Sequence, residues 1–202
     1  MNHPDHPAGT APAAPGTDPV TLVVGVHLVL LDEADEADEA DEADEADEAD
    51  EADEADEADE ADEADEADEA DEATVLLGRR RNTTYANGLW HLPAGHMLPG
   101  EPVTRSMARE AEEELGISIA EHDLSLVHTL HHLDADDGRS RLQLFFRTPR
   151  YDGQIRNAEP HKCEDLRWWP LDRLPADTVP YTAHALAQIT AGHRLSTTGW
   201  PA

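Results

Sequence analysis

The feature that most constrains the fold of this chain is an acidic repeat that interrupts its apolar sequence. Residues 32–73 are fourteen consecutive Asp-Glu-Ala triplets, and they contribute 28 of the 46 acidic side chains. A period of three does not match the 3.6 residues of a helical turn, so the alanines never build one apolar face. Like charges three and four residues apart also oppose helix formation. The repeat is therefore predicted to be a disordered insertion outside the core.

Such an insertion costs little free energy of folding. Lengthening a loop from ~4 to ~42 residues costs about 2 kcal/mol of closure entropy. This modest cost favours an expansion tolerated at a surface turn over the alternative, a functional acidic tail that attracts cations.

Without the repeat, the chain has the charge balance of an ordinary small domain. The remaining 202 − 42 = 160 residues hold 46 − 28 = 18 acidic and 14 basic side chains. A chain of this length builds one hydrophobic core. It lacks the basic surplus of a protein that coats nucleic acid, and it lacks the ~20 consecutive apolar residues that cross a bilayer. Neither a nucleic-acid polymer nor a membrane is predicted as a partner.

The start of the chain is predicted to be a disordered leader over 1–19, rich in Pro, Ala and Gly and without apolar periodicity. The apolar stretch 20–31 has no Lys or Arg before it and no small-residue cleavage site after it, so it is predicted to be a buried strand rather than a signal peptide. The single cysteine, Cys163, excludes an intramolecular disulfide. Together these features indicate a cytoplasmic protein.

The rest of the chain predicts one domain over 20–195. The strand at 20–31 and the apolar run at 74–78 flank the repeat, so they are predicted to form a hairpin whose tip the repeat expands. Apolar residues four apart, from Val103 to Leu115, predict a helix over 103–115, with Gly116 as its C-terminal cap. The other predicted elements are an extended segment at 89–93, a Gly/Pro loop at 94–101, strands near 124–132, 140–148 and 165–169, and a helix near 180–192. This order predicts an α/β sandwich with a mixed sheet.

Three glutamates on the predicted helix give the strongest chemical signal. At 100° per residue, Glu113 and Glu114 lie about 60° and 40° to either side of Glu110. Carboxylates this close repel one another unless a cation lies among them, and hard oxygen ligands favour Mg²⁺ or Mn²⁺. Because Mg²⁺ is commonly shared with substrate phosphates, the pattern predicts a phosphorylated substrate. A solvated charged helix face is the alternative from the charge pattern alone.

The residues around this helix resemble the signature of the Nudix hydrolases, and the surrounding chain is similar to that family from about residue 20 to 190. Ala94 and Pro102 depart from the residues frequent in the family, but neither departure removes a reacting group. A second segment, 157–163 (Asn-Ala-Glu-Pro-His-Lys-Cys), is similar to the corresponding segment of MutT-like nucleotide pyrophosphatases. The matching positions of the signature are Gly95, Glu101, Arg109, Glu110, Ala111, Glu113, Glu114, Gly116 and Ile117.

The resemblance implies a metal site. Glu113 and Glu114 would bind the main Mg²⁺, with Mn²⁺ as a possible substitute, and the Gly95 carbonyl would complete the coordination shell. Glu110 would be a further ligand or the general base. Glu159, in the second segment, is another candidate for ligand or base, and the sequence does not decide between Glu110 and Glu159.

The resemblance also implies supporting roles. Arg109 would orient the glutamates through charge-assisted hydrogen bonds, Glu101 would brace the preceding loop, and Gly116 would end the helix. Among the arginines at 79–81, Arg80 would contact the substrate phosphates.

The implied function is Mg²⁺-dependent hydrolysis of a nucleoside triphosphate, or a related nucleoside diphosphate derivative, to the monophosphate and pyrophosphate. Removal of oxidised or non-standard nucleotides is its favoured form. One alternative is hydrolysis of a nucleotide sugar or a dinucleotide. Another is a Nudix module that binds a nucleotide for regulation without turnover, although degenerate members commonly lose Glu113, Glu114 or Arg109, and all three are present here. The sequence predicts no oligomeric state.

Overall fold

The computed structural model describes residues 21–32, 73–134 and 137–201. The predicted leader and all but the ends of the acidic repeat lie outside these residues. In chain order the described elements are β1 (Val23–Leu28), β2 (Leu31–Asp32), β3 (Thr74–Arg80), β4 (Trp90–His91), β5 (Ala94–His96), α1 (Val103–Leu115), a 3₁₀ turn (Glu121–Asp123), β6 (Ser125–Leu133), β7 (Ser140–Arg147), β8 (Cys163–Pro170), α2 (Pro180–Thr190) and β9 (Leu195–Thr198).

The strands form two sheets. The first has five strands in the order β5-β1-β7-β6-β9, in which β1 runs parallel to β7 and β6 runs parallel to β9. The remaining neighbours, β5 with β1 and β6 with β7, are antiparallel. In the second sheet, β3 pairs antiparallel with β2, β4 and β8. The prediction of an α/β fold with a mixed sheet is confirmed.

The two helices cover different apolar clusters, as a sandwich requires. Alternate residues of β1, such as Val26 and Leu28, pack in the cluster that contains the buried face of α1. Val29 belongs instead to the cluster that contains α2. The buried apolar residues of α1 are Met107, Ala111 and Leu115, and those of α2 are Ala185 and Leu186.

The predicted strand over 20–31 is wrong in one respect, because it is two strands in different sheets. The backbone N–H of Val29 donates to the carbonyl of Phe146 in the first sheet, while the carbonyl of Leu30 accepts from Leu76 in the second. The chain therefore changes sheets between these residues, which an unbroken apolar run does not reveal. The hairpin across the repeat is present, but its first arm is only β2, paired through Leu31 with Val75 and through Asp32 with Thr74.

The helix over 103–115 is confirmed at both ends. Gly116 follows it with φ 69°, and its N–H donates to the carbonyl of Glu112.

The predicted loop over 94–101 is wrong at its start, because Ala94–His96 forms β5 on the edge of β1. Strand β9 was not predicted, and α2 ends at Thr190 instead of 192. Neither helix in the described residues is both long and apolar enough to cross a membrane.

Candidate active site

Residues of both sheets and of α1 line a cleft of about 570 Å³, a size typical of small-molecule sites. The cleft brings together all the residues to which the sequence assigned a metal or substrate contact: Arg80, Gly95, Glu110, Glu113, Glu114 and Glu159. Arg109, Glu101 and Gly116 stand outside this lining, consistent with supporting positions.

Glu114 is the carboxylate most strongly affected by its surroundings. Its Oε2 atom accepts a 2.9 Å hydrogen bond from the backbone N–H of Ala94 in β5. The pKa of Glu114 is raised to about 8, first by burial and then by the charges of Glu110 and Glu159. A carboxylate under this repulsion is stabilised by a cation placed among the three groups.

Glu110 lies directly against Gly95. A Cβ atom at position 95 would fall within 2.3 Å of three carboxyl atoms of Glu110. Only glycine leaves this space. Glycine at position 95 therefore makes room for the Glu110 carboxylate beside β5.

Arg109 holds two of the three helix glutamates. Its Nη1 atom donates to Glu110 Oε1 at 2.8 Å and to Glu113 Oε2 at 3.3 Å. Glu113 is half exposed and extends along the helix surface toward Arg109, whereas Glu110 and Glu114 approach β5. The three carboxylates thus share one side of the helix, as their spacing predicts, but Glu113 lies at the rim of the cleft.

Arg109 also fixes the loop before α1. Its Nη2 atom donates to Glu101 Oε1 at 3.0 Å and to the carbonyl of His96 at 3.2 Å. The hydrogen bond from Arg109, followed by one from the backbone N–H of Leu98, lowers the pKa of Glu101 to about 2. Glu101 therefore stays ionised and connects the loop to the helix.

Glu159 reaches the same end of the cleft from the segment before β8. The backbone N–H of Ala158 donates to the carbonyl of Glu114 at 2.9 Å, which attaches this segment to the last turn of α1. Lys162 Nζ donates to Glu159 Oε1 at 2.7 Å. The acid that the resemblance singled out thus lies beside Glu114, although 45 residues separate them in the sequence.

The donor set fits a hard divalent cation. Glu110, Glu114 and Glu159 offer carboxylate oxygens, the ligands that Mg²⁺ prefers. Within the described residues, no group of three His, Cys, Asp or Glu side chains has the arrangement of a ready metal site. The carboxylate chemistry of the donors and the raised pKa of Glu114 both indicate that a divalent cation would be stabilised among them.

Arg80 supplies positive charge on the β3 wall of the cleft. Its Nε atom donates to the carbonyl of Tyr85 at 3.2 Å, and its charge acts to lower the pKa of Glu114. Arg79 also lines the cleft but approaches two acids, Glu164 at 4.0 Å and Asp177 at 3.8 Å. Arg80 is therefore the better placed of the two for a substrate phosphate.

The other part of the cleft contains buried polar residues, of which sequence reasoning missed His27 and Gln143. His27 stacks on Phe145 with ring centroids 4.6 Å apart, and its Nε2 atom lies 2.9 Å from Gln143 Oε1. Burial lowers the pKa of His27 to about 4. His91 is held between Tyr181 Oη, at 2.6 Å, and the carbonyl of Leu92. The available signal was one histidine inside a valine-rich strand, a position that favours a buried, hydrogen-bonded side chain.

The lowered pKa of His27 predicts a loss of stability in acid. In the unfolded state the His27 ring is protonated below about pH 6.5, whereas in the folded state it is protonated only below about pH 4. The contribution of His27 is thus complete above pH 6.5 and falls by about 3 kcal/mol as the pH drops to 4. The pKa of Glu114, raised to about 8, acts in the opposite direction over part of this range.

The His27 contribution is therefore measured as a difference. Urea unfolding of the wild type and of His27→Phe at pH 7.5, 5.5 and 4.5 should show a smaller acid loss in the variant. Parallel curves for the two proteins would contradict the assignment.

The family model and the most similar curated proteins all indicate the same protein family, the Nudix family. The model of the NUDIX domain matches residues 65–189, more than half of the chain. The human 8-oxo-dGDP phosphatase NUDT18 is 28% identical over 109 residues, which cover 53% of this chain and 32% of that protein. A putative 8-oxo-dGTP diphosphatase 2 from Mycobacterium tuberculosis is 31% identical over 109 residues, or 50% of this chain and 74% of that protein.

A solved structure has the same fold. The crystal structure of a MutT NUDIX hydrolase from Burkholderia pseudomallei superposes with a TM-score of 0.56 at 25% identity, covering 83% of this chain and 98% of that one. The chain spans about a third of the length of the human relative.

Proposed function

Because this chain belongs to the Nudix family, we propose that it is a magnesium-dependent pyrophosphohydrolase that converts a nucleoside triphosphate and water into the monophosphate and pyrophosphate. The supporting observation is that Glu110, Glu114 and Glu159 converge on one end of a cleft of nucleotide size. Relatives named as an 8-oxo-dGDP phosphatase and an 8-oxo-dGTP diphosphatase favour oxidised guanine nucleotides as substrates.

Glu114 and Glu110 would hold the metal, with Glu113 and the Gly95 carbonyl as further donors and Glu159 beside them. When bound, Mg²⁺ supplies charge neutralisation at the phosphate oxygens and lowers the pKa of a water molecule.

The chain's own residues provide the positioning and the proton transfer. Arg109 fixes Glu110, and the Ala94 N–H fixes Glu114. Arg80, on the opposite wall, offers a cation to the phosphates. Glu110 or Glu159 accepts the proton of the attacking water.

A substrate panel tests this function. Purified protein with Mg²⁺ is assayed for monophosphate and pyrophosphate against dGTP, 8-oxo-dGTP, 8-oxo-dGDP, a nucleotide sugar and a dinucleotide. Release of pyrophosphate from the triphosphates, abolished by chelation of the metal, is expected. Preferred cleavage of the nucleotide sugar or dinucleotide would overturn the proposed substrate class. Binding without cleavage of any member would overturn the proposed activity.

Removal of the acidic repeat should leave catalysis unchanged. The repeat joins β2 to β3, and none of the paired residues Leu31, Asp32, Thr74 and Val75 lines the cleft. Replacing residues 33–72 by a short Asn-Gly turn should keep kcat/KM within about twofold and raise the free energy of unfolding by about 2 kcal/mol. Steady-state kinetics and urea unfolding measure both effects. A tenfold loss of kcat/KM would show that the repeat takes part in function.

A further inference from the structure

Gln143 and His27 form a buried polar pair in the cleft, and the inference drawn from them rests on the proposed function. Gln143, on β7, is 5% exposed, and His27, on β1, is 2% exposed. Both line the cleft with Gly25. A Cβ atom at Gly25 would lie 2.0 Å from Gln143 Oε1 and 3.3 Å from His27 Nε2, so the glycine leaves the space in which the two side chains meet.

The pair lies away from the phosphate end of the cleft. His96 of β5, Gly25 of β1 and Gln143 of β7 are aligned across three neighbouring strands. The Gln143 carboxamide lies over Gly25, which faces the opposite side of the sheet from Val26 and its partner Gly95, against which Glu110 packs. The pair and the Glu110 carboxylate therefore occupy different parts of the cleft, as the base and the phosphates of one nucleotide would.

The surroundings of the pair favour an uncharged ligand group. The pKa of His27 is lowered to about 4 by burial, so its ring is neutral at pH 7. Of the charged groups of the cleft, Arg141 and Asp134 form an ion pair of 2.8 Å, and the charge of Arg80 acts on His27 from the β3 wall. A base is the uncharged, hydrogen-bonding part of a nucleotide and matches this neutral pair.

One end of the Gln143 carboxamide is available to a ligand. Its Oε1 atom meets His27 Nε2, while within the described part of the chain no hydrogen bond from its nitrogen is seen. That nitrogen is not among the fully buried, unpartnered atoms of the described residues, so it is open to the cleft. A ligand in the cleft can therefore accept a hydrogen bond from it.

We propose that Gln143 contacts the hydrogen-bonding edge of the nucleotide base and binds either a keto or an amino group there, with His27 as the positioning residue that fixes its carboxamide.

The pair also offers two hydrogen-bonding patterns. If His27 Nε2 carries the proton, it donates to Gln143 Oε1 and the amide NH₂ remains for the ligand. If the carboxamide is turned over, its NH₂ donates to Nε2 and the carbonyl remains. His27 Nδ1 is buried and, among the described residues, has no partner that would select one tautomer. Gln143 therefore serves a base that presents either a keto or an amino group.

The test compares KM and kcat for nucleotides with and without a base. In Gln143→Met, the KM for GTP and ATP should rise about tenfold or more while kcat stays within about threefold, since the lost hydrogen bond is remote from the reacting phosphorus. Ribose 5-triphosphate, which has no base, should be hydrolysed with unchanged constants. His27→Phe should raise KM in the same direction. The exposed Gln154 provides the matched control, Gln154→Met.

A second variant tests the exchange of patterns. In Gln143→Glu, the carboxylate only accepts hydrogen bonds, so the ratio of kcat/KM for GTP, whose N1–H and 2-amino group both donate, to that for ATP, whose N1 accepts, should rise about tenfold. An unchanged ratio, or an equal loss for ribose 5-triphosphate and the nucleotides, would overturn the role of Gln143.

The proposed function fails separately, if the wild type hydrolyses none of these compounds. Calorimetric binding of GMP and AMP then decides the inference. A Kd raised about tenfold by Gln143→Met supports it, and an unchanged Kd overturns it.

Discussion

Glu114→Gln is expected to lower kcat by about a thousandfold or more while the protein keeps its fold, because the variant loses a metal ligand at the point of greatest charge stabilisation. The amide retains an oxygen that can accept the Ala94 N–H, as Oε2 of Glu114 does. Because the pKa of Glu114 is raised to about 8, its carboxyl is largely neutral at pH 7 before a metal binds, and the neutral amide is a close substitute.

Thermal unfolding separates the loss of a ligand from damage to the fold. Without metal, the Tm of Glu114→Gln at pH 7 should equal or exceed that of the wild type, since the amide avoids the cost of protonating the Glu114 carboxylate on folding. With millimolar Mg²⁺ the wild type should gain Tm by linkage, and the variant should gain little.

Glu112→Gln, on the exposed side of the same helix, is the matched control and should behave as the wild type. A full Mg²⁺ shift in Glu114→Gln would contradict the assignment of Glu114 as a ligand.

The part of the site that lies on α1 could be predicted because its determinants are local. Apolar residues four apart and a glycine cap define the helix from Val103 to Leu115, and 100° per residue places Glu110 and Glu114 on one side. The sandwich likewise follows from the order of apolar segments. The helix spacing does not fix side-chain direction, however, and Glu113 is drawn to Arg109 by an ion pair.

The rest of the site depends on contacts between distant segments. His27 and Gln143 are 116 residues apart and meet only because β1 and β7 are parallel neighbours. The change of sheet after Val29 and the pairing of β5 with β1 are decided by which strand edge offers hydrogen bonds. The local sequence does not determine which strands pair, because the pairing depends on contacts within the complete sheet. Glu159 was found through a family resemblance and not through its own spacing.

The contacts of Glu110 and Glu159 predict different roles for these two candidate bases. Glu110 is packed against Gly95 and held at 2.8 Å by Arg109, whose side chain is 26% exposed and makes several other hydrogen bonds. Such a carboxylate is fixed in position, as a metal ligand should be. Glu159 is paired only with Lys162 among the ion pairs of the described residues, and this lysine is 55% exposed. An exposed ion pair is weak, so substrate phosphates can attract Lys162 and leave Glu159 free to accept a proton.

Glu159→Gln is therefore expected to lower kcat by about 10²–10⁴-fold, the usual contribution of a general base, while the Mg²⁺-induced rise in Tm stays near that of the wild type. Glu110→Gln should reduce both kcat and the Mg²⁺-induced rise. Glu164→Gln, close to the same segment but exposed, should change neither. The reverse pattern, with metal affinity lost in Glu159→Gln and retained in Glu110→Gln, would assign the base to Glu110. The two acids are separable in this way because one is fixed by a partly buried arginine network and the other by a single solvated lysine.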